Sequence, residues 1–101
     1  MADTLKKLGS GTLTTGSVTL YTTPSLTKTI VKSIILCNYT ASDATVTIAF
    51  AGVNVIYEHT IIAKDTLTIQ ITGILEASTA ITGLASAGTS INYYISGIEV
   101  T

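Results

Sequence analysis

Hydrophobic and polar residues alternate along most of this chain with a period of two. The clearest case is KDTLTIQITGIL, residues 64–75, where Leu67, Ile69 and Ile71 fall on one side and Thr66, Thr68, Gln70 and Thr72 on the other. That period belongs to a half-buried strand, with one face on a core and the other in solvent. Gly73 breaks the alternation, and Ile74 and Leu75 follow as an adjacent apolar pair.

The same rhythm recurs along the chain. SVTLYT, residues 17–22, sets Val18 and Leu20 together and is ended by Pro24, which has no amide hydrogen to give a ladder. TIVKSIILCN, residues 29–38, is apolar on both sides, through Ile30, Ile34 and Leu36 against Val31, Ile35 and Cys37. It predicts a central strand with both sides covered. ATVTIAFA, residues 44–51, turns Val46, Ile48 and Phe50 inward, and Gly52 reverses the chain into VNVIYEHTII, residues 53–62. AKD leads into the strand quoted first, EAS precedes TAITGLA, and ASAGTS turns into INYYISGIEV, residues 91–100. There Ile91, Tyr93 and Ile95 share a face until Gly97. Beyond it Ile98 and Val100 take over the apolar role, which is how a bulge reads.

About seven strands at this spacing, with no convincing helix, predict an all-β fold. The expected architecture is an antiparallel β-sandwich of jelly-roll type with seven or eight strands and under about a tenth of residues helical. Its expected core is Val46, Ile48, Phe50, Leu67, Ile69, Ile71, Ile91, Tyr93 and Ile95. Residues 1–16 are polar and glycine-punctuated and read as an extended N-terminal arm ahead of a sandwich domain at 17–101. DTLKKL offers one helical turn capped by Asp3, too short to stand alone. Two ways of holding the arm are open. Leu5 and Leu8 tuck against the sandwich, or the arm lies on a neighbouring subunit with Lys6 and Lys7 near acidic groups. The second is favoured, making Leu5, Lys6, Lys7 and Leu8 candidate partner contacts.

Composition sharpens this picture. Of 101 residues, 47% are hydrophobic and only 11% charged, with a net charge of −1. Soluble domains carry roughly a quarter or more of their surface as charge, so this balance favours association. No basic surplus marks a nucleic-acid footprint. The longest apolar run, Ile34 to Cys37, falls far short of the ~18 residues of a membrane span. MADTLKKLGSG has no apolar stretch that a signal peptide requires. Cys37 stands alone, which fits a chain made in a reducing cytoplasm.

Candidate chemistry is sparse. His59 is the only histidine, and metal sites need several ligands converging. Glu58 and His59 are adjacent on a strand, so their side chains point to opposite faces. Asp43, Glu58, Asp65, Glu76 and Glu99 fall mostly at turns or strand ends, where acids are solvated. GSGTLTTG, residues 9–16, lacks the lysine and the strand–helix context of a phosphate loop. Catalytic, metal and cofactor residues are therefore expected to be none. Tyr21, Tyr39, Tyr57, Tyr93 and Tyr94 offer rings for a sugar site. Alternation sends Tyr93 inward and Tyr94 outward, and an outward tyrosine suits a subunit interface. Tyr94 is accordingly a further candidate partner contact.

The segments VTLYTTPSLTKTIVKSIILCNYTASDATVTIAF (18–50), DTLTIQITGILEASTAITGLAS (65–86) and INYYISGIEV (91–100) together resemble small virion structural domains of tailed bacteriophages. LYTTP, ILCNYT, ILEAS and ISGIEV carry the likeness, which covers most of the chain beyond the arm. SLTK, residues 25–28, departs from it where a glycine-containing turn is more usual. The resemblance implies a β-sandwich with a packing role and no catalytic motif. It points to a capsid decoration, or cement, subunit located in the virion after synthesis in the host cytoplasm. Its implied partners are a major capsid protein or other virion proteins and copies of itself, a trimer being favoured, with no nucleic acid and no membrane. The alternative is a tail- or fibre-associated module that contacts a carbohydrate or host receptor through its loops or the Tyr94 face.

Overall fold

The computed structural model describes residues 3–101, and every regular element among them is a β-strand. β1 (Asp3–Thr12), β8 (Ile91–Val100), β3 (Lys28–Asn38) and β6 (Thr66–Leu75) form one antiparallel sheet in that order. β2 (Val18–Thr22), β7 (Ala80–Ala85), β4 (Ala44–Phe50) and β5 (Val53–Ile61) form the other. This order, 1-8-3-6 over 2-7-4-5, is that of an eight-strand jelly roll, and the seven strands expected from alternation all appear.

The core lies between the sheets. Leu13, Val31, Ile34, Leu36, Val46, Ile48, Ile81, Ile91 and Ile95 are wholly buried. Of the expected core, Val46, Ile48, Ile91 and Ile95 are in it, while Phe50, Leu67, Ile69, Ile71 and Tyr93 are only partly buried against it. For Phe50, Leu67, Ile69 and Ile71 the reason is a difference between the two sides of the sandwich. On the β1–β2 side the layers meet closely: a side chain at Gly9 would come within 2.7 Å of the Leu20 carbonyl oxygen, and Leu8, Leu13 and Leu20 are buried there. On the β5–β6 side the sheets part, and inward residues of β6 keep access to solvent. Gly73, which breaks the alternation of β6, faces the Phe50 ring of the opposite sheet. A Cβ there would lie 2.8 Å from Phe50 Cε2, so the ring fills the space a side chain would take.

One buried polar group organises the turn after β3. Asn38 is wholly buried at the end of β3. Its Nδ2 donates to the Ser42 and Ile61 carbonyls, each at 2.9 Å. Its Oδ1 accepts from the Thr40 amide at 3.0 Å and the Thr40 hydroxyl at 2.8 Å. One amide thereby holds the β3–β4 turn against β5, and all its bonding capacity is used.

Three expectations are corrected. The expected arm over residues 1–16 is, within the described residues, largely strand: β1 pairs with β8 from Asp3↔Val100 to Thr12↔Asn92. Met1 and Ala2 of that expectation lie outside the described residues. Leu8 is buried, and so is Leu13 in the loop after β1. The intramolecular option therefore holds for Leu8, because backbone pairing along a whole strand supplies what few apolar side chains would not. Second, the bulge expected at Gly97 is not in β8. Lys7 pairs with Ser96 and Gly9 with Ile95, leaving Leu8 as the extra residue. Val31 pairs with Gly97 and Ser33 with Ser96, leaving Lys32 extra. Both flanking strands bulge while β8 stays regular. Gly97 is a point of close approach, since a Cβ there would collide with the Ile30 carbonyl oxygen. Third, β3 is central in its sheet but covered on one side only: Val31, Ile34 and Leu36 are buried, whereas Ile35 is exposed.

Candidate functional site

The residues singled out in the sequence are divided by the pleat of β1. Residues directly opposed in an antiparallel pair share a face. Leu5 and Lys7 point outward and are exposed, whereas Leu8 is withdrawn into the core. Lys6 turns inward, with its Nζ 3.4 Å from Glu99 Oε1 on β8. Tyr94 is outward on β8, paired with Ser10 of β1 on one side and Ile35 of β3 on the other. Leu5, Lys7 and Tyr94 therefore share one outer sheet face, and Lys6 and Leu8 do not belong to it. Withdrawal of Leu8 from the expected partner contacts follows from its place in the β1 bulge, packed beside Gly97.

Tyr94 lies in a shallow groove of about 410 Å³ with Ser10, Gly11, Thr12, Ile35, Cys37 and Asn92. The Thr12 hydroxyl donates to Asn92 Oδ1 at 2.7 Å, which fixes the rim. Tyr93 also borders the groove, but its ring turns to the inner face, against Gly9 and Gly11, so Tyr94 is the one tyrosine ring the groove presents. The groove contains no charged side chain.

Inside the sandwich, one polar cluster joins the layers. The Tyr21 hydroxyl of β2 donates to Glu99 Oε2 at 2.5 Å and meets Thr29 Oγ1 at 2.8 Å. With Lys6 it gathers residues from β1, β2, β3 and β8. Burial, then the bond to Glu99, raise the Tyr21 pKa above 10.0, while the Thr29 contact works the other way. No nucleophile–base–acid series passes through this cluster: it is a tie between sheets. Among the described residues, no group of three or more His, Cys, Asp or Glu comes together to hold a metal.

Sequence reasoning missed the free edge formed by β5. This strand ends its sheet, and Val53, Val55 and Tyr57 on it are exposed. Register breaks twice against β4, between Val46 and Ile48 and again between Ile48 and Ala49. The first break sets Tyr57 and Glu58 against Thr47, and the Glu58 amide donates to Thr47 Oγ1 at 3.0 Å. His59 pairs with Val46 and remains exposed at the rim. The available signal was VNVIY, whose apolar residues do not keep a strict period of two and carry no charge.

No protein-family model matches the chain, and no curated protein matches it in sequence. Among solved structures, the chain is similar to the Drosophila NLP-core, a structure bearing on pentamer formation and histone binding. The TM-score is 0.55 at 20% identity, over 95% of this chain and 100% of that one. It is also similar to the CBM35 from Paenibacillus barcinonensis, with a TM-score of 0.46 at 14% identity, over 98% of this chain and 89% of that one. At this identity the NLP-core likeness shows a shared fold alone.

Proposed function

We propose that this protein is a non-catalytic assembly subunit, a capsid decoration or cement protein of a tailed-phage virion, which joins to its neighbours through exposed apolar strands. β5 carries the reading. It is an edge strand with Val53, Val55 and Tyr57 at the surface, and within β5 no charged residue precedes Glu58. Protein sheets ordinarily blunt such edges with lysine, proline or a covering loop, because open backbone donors and acceptors recruit another chain. Here the edge is left apolar in a chain of low charge. The virion setting comes from the sequence resemblance. Jelly rolls serve viral shells and lectins alike, so the fold favours neither by itself. The partners are copies of this chain, with a trimer favoured, and a major capsid protein.

A second reading has its own observation: the uncharged groove at Tyr94 has an aromatic ring and the hydroxyl and amide groups of Ser10, Thr12 and Asn92, which take a sugar ring. Sedimentation separates the two readings. The wild-type chain should run as an oligomer, and Val55→Lys, which places a charge on the β5 edge, should reduce it to smaller species with an unchanged circular dichroism spectrum. A wild-type chain that stays monomeric, does not bind capsids, and binds a glycan that Tyr94→Ala abolishes would make it a receptor- or glycan-binding module instead.

A further inference from the structure

The outer face of the β1-β8-β3-β6 sheet bears a second apolar feature, away from both β5 and Tyr94. Leu5 pairs with Ile98, Ile98 with Ile30, and Ile30 with Ile74. One aliphatic residue from each of the four strands thus falls in a single row across the sheet. The row is on the outside, because Thr29 and Val31 on either side of Ile30 are wholly buried. Its ends are open to solvent: Leu5 is 80% exposed and Ile74 62%. Three strand spacings make the row about 14 Å wide. Between this row and the Ile35–Tyr94 pair the face is hydroxyl and amide, with Ser96, Ser33 and Gln70 opposed across the strands.

Charge is unequally placed about the row. On one flank are Lys7 and Lys32; on the other are Asp3, Lys28 and Glu76, with Lys28 and Glu76 3.7 Å apart. Asp3 and Lys7 stand two residues to either side of Leu5 on the same strand face.

We propose that this row is a contact between two copies of the chain, packed face to face about a two-fold axis that runs along the row. The proposal rests on the assembly reading and adds to it a face and a symmetry. That operation lays each aliphatic residue on its own counterpart, as an isologous contact requires. It also reverses the flanks, so that Lys7 of one copy comes over Asp3 of the other, twice. Lys28 comes opposite Lys32, with Glu76 beside it to offset the repulsion. A second copy meets both requirements together: an uncharged row of equal length and the opposite order of charge on its flanks.

Sedimentation equilibrium on the full chain tests this. Leu5→Asn combined with Ile74→Asn, both at exposed positions, should halve the mass of the wild-type assembly, from two trimers joined across the row to one, without altering its circular dichroism. Asp3→Lys alone and Lys7→Asp alone should each weaken association several-fold at low ionic strength, and the two together should restore it. The charge swap does not depend on the asparagine variant folding. An unchanged mass in the asparagine variant overturns the row contact and leaves the assembly reading standing. A double swap that does not recover overturns the two-fold arrangement. A wild-type chain that is monomeric at every concentration overturns both the contact and the assembly reading.

Discussion

Tyr21 shows what a single residue does in a sandwich held mainly by apolar contact. Its hydroxyl leaves β2 and crosses the interior to Glu99 and Thr29 in the opposite sheet, at 2.5 and 2.8 Å. Lys6 approaches the same carboxylate from β1. Because burial and the Glu99 bond raise the phenol's pKa in the fold, the native state favours the protonated hydroxyl. The resulting stability is fully present below the unfolded value of about 10 and is lost as pH rises through the higher folded value. Tyr21→Phe should lower stability at neutral pH by about 1–2 kcal/mol, read by urea unfolding, and should flatten the alkaline decline. An alkaline decline of undiminished steepness in the variant would place its cause in other groups. Sequence alone placed Glu99 among acids solvated at strand ends. Its side chain is only 14% exposed, because the row Thr4–Glu99–Thr29 faces the other sheet. Only the pairing of distant strands reveals that face.

At the scale of elements, β4 and β5 are joined by Ala51 and Gly52, with φ of 51° and 83°. Positive φ at both central residues of a two-residue hairpin is the type I′ arrangement, whose preferred pair is Asn-Gly. Alanine bears strain in the first position, so Ala51→Asn should stabilise the protein by up to about 1 kcal/mol. A raised melting temperature with unchanged oligomeric mass would be its mark, and a lowered one would mean the turn geometry is otherwise. Seven strands were legible because each is an apolar or alternating run of five or more residues between turn residues. β1 was not, for three physical reasons. Gly9 and Gly11 remove side chains from its inner face, where the Tyr93 ring lies against them. Leu8 is the extra residue of a bulge, which upsets the period. And its ladder partner, β8, is at the other end of the chain. The candidate site was legible in part. Alternation placed Tyr94 outward correctly, but the inward turn of Lys6 and Leu8 depended on the pairing of β1, and the exposure of β5 on its position at a sheet edge.

The molecule as a whole is elongated, 46 × 21 × 18 Å, and its two long sides differ. One is shut by β1 over β2; the other is left open between β5 and β6, where Phe50, Ile56, Leu67, Ile69 and Ile71 keep part of their surface in solvent. The closed side makes β1 integral to the jelly roll, and truncation tests that. Removing residues 1–9 takes away the buried Leu8, the Lys6–Glu99 pair and the ladder from Asp3↔Val100 to Gly9↔Ile95. It also turns β8 into a free edge beside exposed core residues, which invites aggregation. Loss of one buried leucine and of a strand's pairing should cost about 3–5 kcal/mol. In a domain of this size that lowers the melting temperature by about 12 °C or more. Scanning fluorimetry of the truncated chain reads this directly. An unchanged melting temperature would mean that β1 adds nothing to the isolated fold. Residues 1–9 would then be a detachable segment whose place is on a neighbouring subunit, and weakened binding of the truncated chain to its own oligomer or to the capsid would be the next measurement.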